Sequence, residues 1–298
     1  MTGLDVQILM AGALGEVGRT VSAALANRGH SIVPVSSRAP ILGSTAVSLS
    51  KASGLLANNW PDIVIIASSR GDHRGGDNSS LNVSEVLASK IVAKGTPAVL
   101  LSTLRVLEGY SHPVPEDAIP RPTTSYSMAN ANMENQWLGT SGVSGSVLRI
   151  SNYFCLPAAI DSPQAQLLPW SLVTEACSTG SITVQSGSQT AREFVSAEDV
   201  ARAIEIMVVS RPTSRICSTL PGRIITLSDL VLATNRAFAA TQRPIPTASF
   251  GMHSKPFTSV ISGWLSTHGW ISALTQDELV EGMIQWMKMS WPESDHHY

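Results

Sequence analysis

The sequence predicts an α/β fold, a doubly wound parallel sheet followed by a smaller C-terminal lobe. Three observations carry this. Val6 to Gly18 reads as a short apolar run that breaks into glycines and continues at helical spacing through Val21, Ala24 and Leu25. Ile63–Ala67 is a continuously apolar, β-branched run of the kind covered on both faces of a parallel sheet, and Pro97–Leu101 and Ser146–Ile150 read as further strands. Helical stretches separate them, and strands alternating with helices imply parallel pairing with crossovers.

The elements follow in order. Val6–Met10 is the first strand, and Gly12, Gly15 and Gly18 form the turn after it. Their spacing suits a diphosphate: one glycine for the turn, one for close backbone approach, one for helix packing, with the helix N-terminus facing the anion. Gly12, Ala13, Leu14, Gly15, Glu16, Val17 and Gly18 are therefore candidate cofactor-binding residues. Ser31–Val35 is the second strand and ends in Ser36-Ser37-Arg38, without an acidic residue. In dinucleotide folds that position meets the adenosine ribose, and small polar residues with an arginine accommodate a 2′-phosphate, so NADP(H) is favoured over NAD(H). The alternative is a solvated turn. A weak strand at Thr45–Leu49 precedes the strong Ile63–Ala67, which opens into Ser68-Ser69. Leu81–Lys94 reads as a helix and Pro97–Leu101 as a strand ending in Ser102-Thr103.

Four prolines make Glu108–Thr124 a loop, and Ser125 is the expected cap of a helix over Tyr126–Leu138. Ser146–Ile150 is the sixth strand, Ile182–Val184 with Gly187 suggests a hairpin, and Ala197–Val209, Thr226–Ala240 and Gln276–Met289 read as helices. Ligands of such sheets bind beyond the carboxyl ends of the strands, where Gly12, Ser36, Ser68 and Ser102 fall. The four late tryptophans, Trp264, Trp270, Trp286 and Trp291, are expected in the core and rim of the small lobe.

Composition narrows the class. A net charge of −2 leaves no electrostatic footprint for nucleic acid or an anionic membrane, and no apolar run reaches bilayer-spanning length. Three widely spaced cysteines argue against a disulfide framework and against a zinc knuckle, and no metal is expected. With no visible signal peptide, the expected location is the cytoplasm.

Taken in order, the residues resemble the extended short-chain dehydrogenase/reductases, the NAD(P)-dependent epimerase/dehydratase family. The motifs are the glycine turn, the Ile63–Ala67 strand, Asn82, Ser102-Thr103, Tyr126, Leu148–Asn152, Arg192–Ala201 and His268–Trp270. Ser102–Gly109 with Pro115-Glu116-Asp117 looks most like the dTDP-4-dehydrorhamnose reductases. The resemblance implies a Rossmann-type lobe at 1–152 plus about 189–220, and a substrate lobe at about 153–188 plus 221–298 with the site between them. It adds Ala67, Ser68, Ser69 and Asn82 to the cofactor set, and makes Arg105, Asn152 and Arg192 candidate substrate contacts. For Arg192, scaffold pairing with Glu193 or Asp199 is the alternative.

By position, Tyr126 is the acid/base and Thr103 its hydroxyl partner, with Ser102 the alternate. A phenol of ordinary pKa about 10 moves protons at neutral pH only when its phenolate is stabilised. The family supplies a lysine four residues later; this chain has Asn130, which can hold a ribose hydroxyl but brings no charge. The implied activity is NADP(H)-dependent reduction of a keto group on a nucleotide-activated sugar or related secondary metabolite, by a homodimer paired through Leu81–Lys94 and Tyr126–Leu138. The alternatives are an epimerase or dehydratase that retains its cofactor, and a degenerate NADP-binding sensor or partner protein.

Overall fold

In the computed structural model, the described residues are 5–36, 47–48, 60–67, 94–142, 145–210, 217–254, 260–261 and 263–291. The chain divides into two units: Met1–Ser151, Ala197–Pro221 and Thr258–Ile271 form the first, and Asn152–Ser196, Gly222–Phe257 and Ser272–Tyr298 the second.

The first unit begins with β1 (Gln7–Ala11) and α1 (Glu16–Asn27), followed by β2 (Ser31–Ser36), β3 (Val47–Ser48), β4 (Ile63–Ile66) and β5 (Ala98–Thr103). A short 3-10 turn (Leu104–Leu107) and β6 (Val114–Pro115) lead to α2 (Ser125–Gly139) and β7 (Gly145–Ile150). In the second unit lie β8 (Asn152–Phe154), α3 (Leu168–Thr179), β9 (Ser181–Val184) and β10 (Ala191–Ser196). The chain returns to the first unit for α4 (Ala197–Ser210) and β11 (Cys217–Leu220). It goes back to the second for β12 (Arg223–Thr226), α5 (Leu227–Ala240) and β13 (Thr247–Phe250). Then β14 (Val260–Ile261) and α6 (Trp264–Thr267) join the first unit, and α7 (Gln276–Ser290) the second.

Among the described residues the first unit carries a seven-stranded sheet, ordered β11-β7-β5-β4-β1-β2-β3, with every pairing parallel. This is the doubly wound α/β fold that the alternating pattern predicts. β4 and β5 are buried along their whole length, which is why Ile63–Ile66 and Ala98–Leu101 are continuously apolar rather than alternating. The strand order reverses between β1 and β4, so the carboxyl ends of both open onto a switch point, where such sheets take ligands. α1 packs against α4, and α2 against β5 and β7.

The second unit has a core of another kind. Phe154 stacks on Trp170 at 4.8 Å between ring centres, and Trp286 lies 6.0 Å from Trp170, among aliphatic residues of α3, α5 and α7.

The structure departs from expectation in several places. Ala191–Ser196 falls with the second unit because it pairs antiparallel with β12 and parallel with β8. Ile182–Val184 forms no hairpin. β9 pairs in parallel with the distant β13, and Gly187 N–H donates to the carbonyl of His253 at 2.8 Å. Trp264 and Trp270 belong to the first unit, where Trp270 Nε1 donates to the Asp199 carbonyl at 3.4 Å; Trp286 alone is a second-unit core residue among the four. The expected helix Leu81–Lys94 lies, except for Lys94, outside the described residues.

Candidate active site

At the β1–α1 junction the backbone does all the work. Gly12 sits at φ +86°, and its N–H and that of Ala13 both donate to the Val35 carbonyl, at 2.9 and 3.1 Å. Gly15 N–H returns to the Gly12 carbonyl at 2.9 Å, closing the turn. A Cβ on Gly18 would stand 2.2 Å from that same oxygen, so only glycine lets α1 lie this close to the turn. Gly15 is the N-cap and offers no side-chain cap to the helix. Leu14 and Val17 are partly buried, Ala13 is buried, and Glu16 turns to Arg19, with Oε1 2.8 Å from Nη2. Such a cradle, with amide hydrogens at a helix start and no side chain above them, fits the diphosphate of a dinucleotide. Ser36 is buried at the end of β2, and Ala67 N–H donates to the Ala11 carbonyl beside the turn. Ser37, Arg38, Ser68, Ser69 and Asn82 lie outside the described residues.

The β5–α2 junction is built from side chains. Thr103 is buried and accepts from the N–H of Arg105 at 3.3 Å, capping the 3-10 turn. Arg105 gives Nε and Nη2 to Glu108 Oε2, both at 3.0 Å, and its guanidinium carbon lies 5.7 Å from the centre of the Tyr126 ring. The other oxygen of Glu108 receives Thr123 N–H, the Thr123 and Thr124 hydroxyls and the Ser127 hydroxyl, at 2.6 to 3.1 Å. Burial opposes the charge on Glu108. The hydrogen bonds from Ser127, Thr123 and Thr124 outweigh it and hold the carboxyl down at about 2. The cap of α2 is Thr124 rather than Ser125. Thr124 is extended and reciprocates with Ser127 in a capping box, which leaves Ser125 as the first helical residue. Tyr126, in the first turn, is half-buried. Asn130, one turn on, donates Nδ2 to the Tyr126 carbonyl at 2.9 Å, while its buried Oδ1 has no hydrogen-bond partner.

Ser102 is committed elsewhere. Its hydroxyl donates at 2.5 Å to Glu134, which is fully buried and holds Arg149 through contacts of 2.7 to 3.2 Å. Arg149 spends its remaining nitrogen on the carbonyls of Glu116 and Ala118. Ser102, expected as the alternate hydroxyl, gives its proton to this buried ion pair. Glu116 accepts from Ser218, Thr219 N–H and Trp264 N–H, fastening β11 and α6 to the loop before α2. Sequence reasoning did not assign Glu134 or Glu116 these roles. One signal was available: an arginine inside the buried run S-V-L-R-I requires a carboxylate partner.

In the second unit, Asn152 donates Nδ2 to the Glu193 carbonyl at 2.8 Å, bracing β8 against β10. Arg192 donates to the Ala191 carbonyl rather than to Glu193. The Glu193 carboxylate accepts from Gly222 N–H; burial pushes its pKa above the usual value, and that hydrogen bond pulls it partly back. Among the described residues no group of three or more His, Cys, Asp or Glu could hold a metal ion, and no helix is long and apolar enough to cross a membrane.

Solved structures of similar fold cover nearly the whole chain. A UDP-N-acetylglucosamine 4-epimerase from Bacillus cereus superposes with a TM-score of 0.72 at 17% identity, over 95% of this chain and 100% of the other. MoeE5 in complex with UDP-glucose and NAD gives 0.71 at 19% identity, over 95% and 99%. A dTDP-glucose 4,6-dehydratase from Bacillus anthracis in complex with NAD gives 0.70 at 13%, over 95% and 96%. No curated protein shows a significant sequence match. Residues 8–216 match the model of the NAD dependent epimerase/dehydratase family, more than half of the chain. With this match and the glycine turn in its structural place, the chain belongs to that family.

Proposed function

We propose that this protein is an enzyme that binds a nicotinamide dinucleotide over the Gly12–Gly18 turn and acts at a keto or secondary alcohol carbon of a nucleotide-activated sugar. The observation that carries the proposal is the cradle itself: a backbone turn at the switch point of a parallel sheet that tolerates no Cβ at Gly18. The sugar substrate is supported by family membership and by the nucleotide sugars in solved structures of the same fold.

The coenzyme, when bound, supplies hydride exchange. The chain's own residues handle the proton and the orientation. Tyr126 gives its hydroxyl proton to the substrate oxygen as a carbonyl is reduced, or takes it as an alcohol is oxidised. Thr103 holds that oxygen, and Asn130, with its unpartnered Oδ1, holds a coenzyme hydroxyl. The direction proposed is reduction with NADP(H), on the strength of Ser36-Ser37-Arg38, as in the dTDP-4-dehydrorhamnose reductases that Ser102–Gly109 resembles. The proposed assembly is a homodimer in a reducing cytoplasm, in keeping with the free thiols of Cys155 and Cys177.

Calorimetry with both coenzymes, followed by turnover of a panel of keto sugars, tests the proposal. Binding of NADP(H) tighter than NAD(H), turnover by the parent and loss of turnover in Tyr126→Phe are expected. No heat with either coenzyme overturns the reading. A second reading, epimerase or dehydratase chemistry with retained coenzyme, is favoured by the activities named for several of the matched structures. Coenzyme absorbance on the freshly purified protein selects it, since a reductase exchanges its coenzyme every turnover.

A further inference from the structure

We propose that Arg105 is the electrostatic partner of Tyr126, held over the face of its ring by Glu108 so that a positive charge favours the phenolate during proton transfer. The inference rests on the acid/base reading of Tyr126 given above.

A phenol that exchanges a proton near neutral pH needs its phenolate stabilised, and the helix carrying Tyr126 offers no positive charge for this. The residue one turn on is the neutral Asn130, and no lysine or arginine occurs between Ser125 and Gly139. Three other arginines of the first unit are engaged elsewhere. Arg149 is buried against Glu134, Arg121 lies over Tyr110 at 4.4 Å, and Arg28 pairs with Glu198 and Glu205. The guanidinium of Arg105 stands 5.7 Å from the Tyr126 ring centre, within the range of a cation–π contact. That attraction strengthens when the ring becomes a phenolate, because the ring face gains negative charge.

The placement is built rather than incidental. Glu108 divides its two oxygens, one for the start of α2 and one for Arg105, so one carboxylate ties the guanidinium to the helix that bears Tyr126. The backbone N–H of Arg105 is held by Thr103, the proposed hydroxyl partner. Thr103, Arg105, Glu108 and Tyr126 thus form one connected group at the carboxyl end of β5. Arg105 acts through Tyr126 and is a positioning residue.

The test compares the parent with Arg105→Met, Arg105→Lys and Tyr126→Phe. Arg105→Met is expected to bind coenzyme as the parent does, to lose roughly tenfold in kcat at neutral pH with KM little changed, and to move the Tyr126-dependent limb of the pH–rate profile up by about one unit. Arg105→Lys is expected to restore most of the loss. A second readout needs no turnover. In an alkaline titration of phenolate absorbance, the signal that Tyr126→Phe removes should emerge at higher pH in Arg105→Met than in the parent. If both the limb and that signal stay where the parent has them, or if Arg105→Met raises KM alone, the proposal is overturned. Failure of the enzymatic reading would show instead as absent coenzyme binding or turnover in the parent, and the absorbance titration would still decide the coupling.

Discussion

The β1–α1 and β5–α2 junctions of the first unit each lead into a long helix, and they solve the same problem in opposite ways. Each helix start has backbone N–H groups without carbonyl partners and a partial positive charge. At the β5–α2 junction the chain answers with its own anion: Glu108, Thr124 and Ser127 occupy the helix start, and the carboxyl is held at about 2. At the β1–α1 junction no side chain caps the helix, and the one acidic residue of its first turn, Glu16, turns to Arg19. Gly15 caps without a side chain, and Gly12 and Gly18 strip away the atoms that would cover the amides. The difference teaches where a foreign anion belongs. A helix start held by a carboxylate has its amides satisfied from within; one cleared by glycine leaves them open to an anion from outside.

The comparison can be broken or sharpened by substitution, and the largest effect belongs to the side-chain-built junction. Glu134→Ala strands Arg149 in the interior without its carboxylate and takes the partner from Ser102; a loss of about 3–5 kcal/mol in urea unfolding is expected. Next is Gly18→Ala, whose Cβ would collide with the Gly12 carbonyl. Coenzyme affinity measured by calorimetry should fall on the order of 100-fold, about 3 kcal/mol, while α2 and its network stay intact.

Glu108→Gln should cost about 1–2 kcal/mol, because a neutral amide serves the helix start and Arg105 less well. Its pH dependence has a definite sign. The folded carboxyl at about 2 lies below its ordinary value of 4.5, so its contribution is full above about 4.5 and is lost as the pH falls through about 2. Acid titration of stability should therefore be flatter in Glu108→Gln than in the parent. The smallest effect is expected from Gly15→Asp, which gives α1 the anion that α2 already has. Coenzyme affinity should drop about tenfold while the coenzyme-free protein keeps its stability to within about 1 kcal/mol. Undiminished affinity in this variant would erase the distinction between the junctions.

The parallel sheet and the glycine turn were legible because their causes are local. Ile63–Ile66 cannot be satisfied except by burial on two faces, and three glycines three residues apart have few other uses. Where the cause is distant, the reading fell short. Thr124 and Ser125 are equally plausible caps until the loop places Glu108 over Thr123, Thr124 and Ser127. Ile182–Val184 carries the alternation of any short strand, and nothing near it in sequence says that its partner is Thr247–Phe250. Ser102 and Thr103 are neighbours of like chemistry, yet successive residues of a strand face opposite sides. One therefore meets Glu134, and the other caps the turn that carries Arg105.

The sequence by itself determined the doubly wound sheet, the cleared helix start at Gly12–Gly18 and the presence of a phenol without a cation on its own helix, since each depends on residues within a few positions of one another. Only the tertiary structure decided which charges stand beside that phenol, which hydroxyl is spent on the interior and which carboxylates fasten the loops. Those outcomes depend on pairs such as Ser102 with Glu134, Glu108 with Ser127 and Glu116 with Trp264, separated by 32, 19 and 148 residues. Such pairs form only once the sheet has brought its strand ends together.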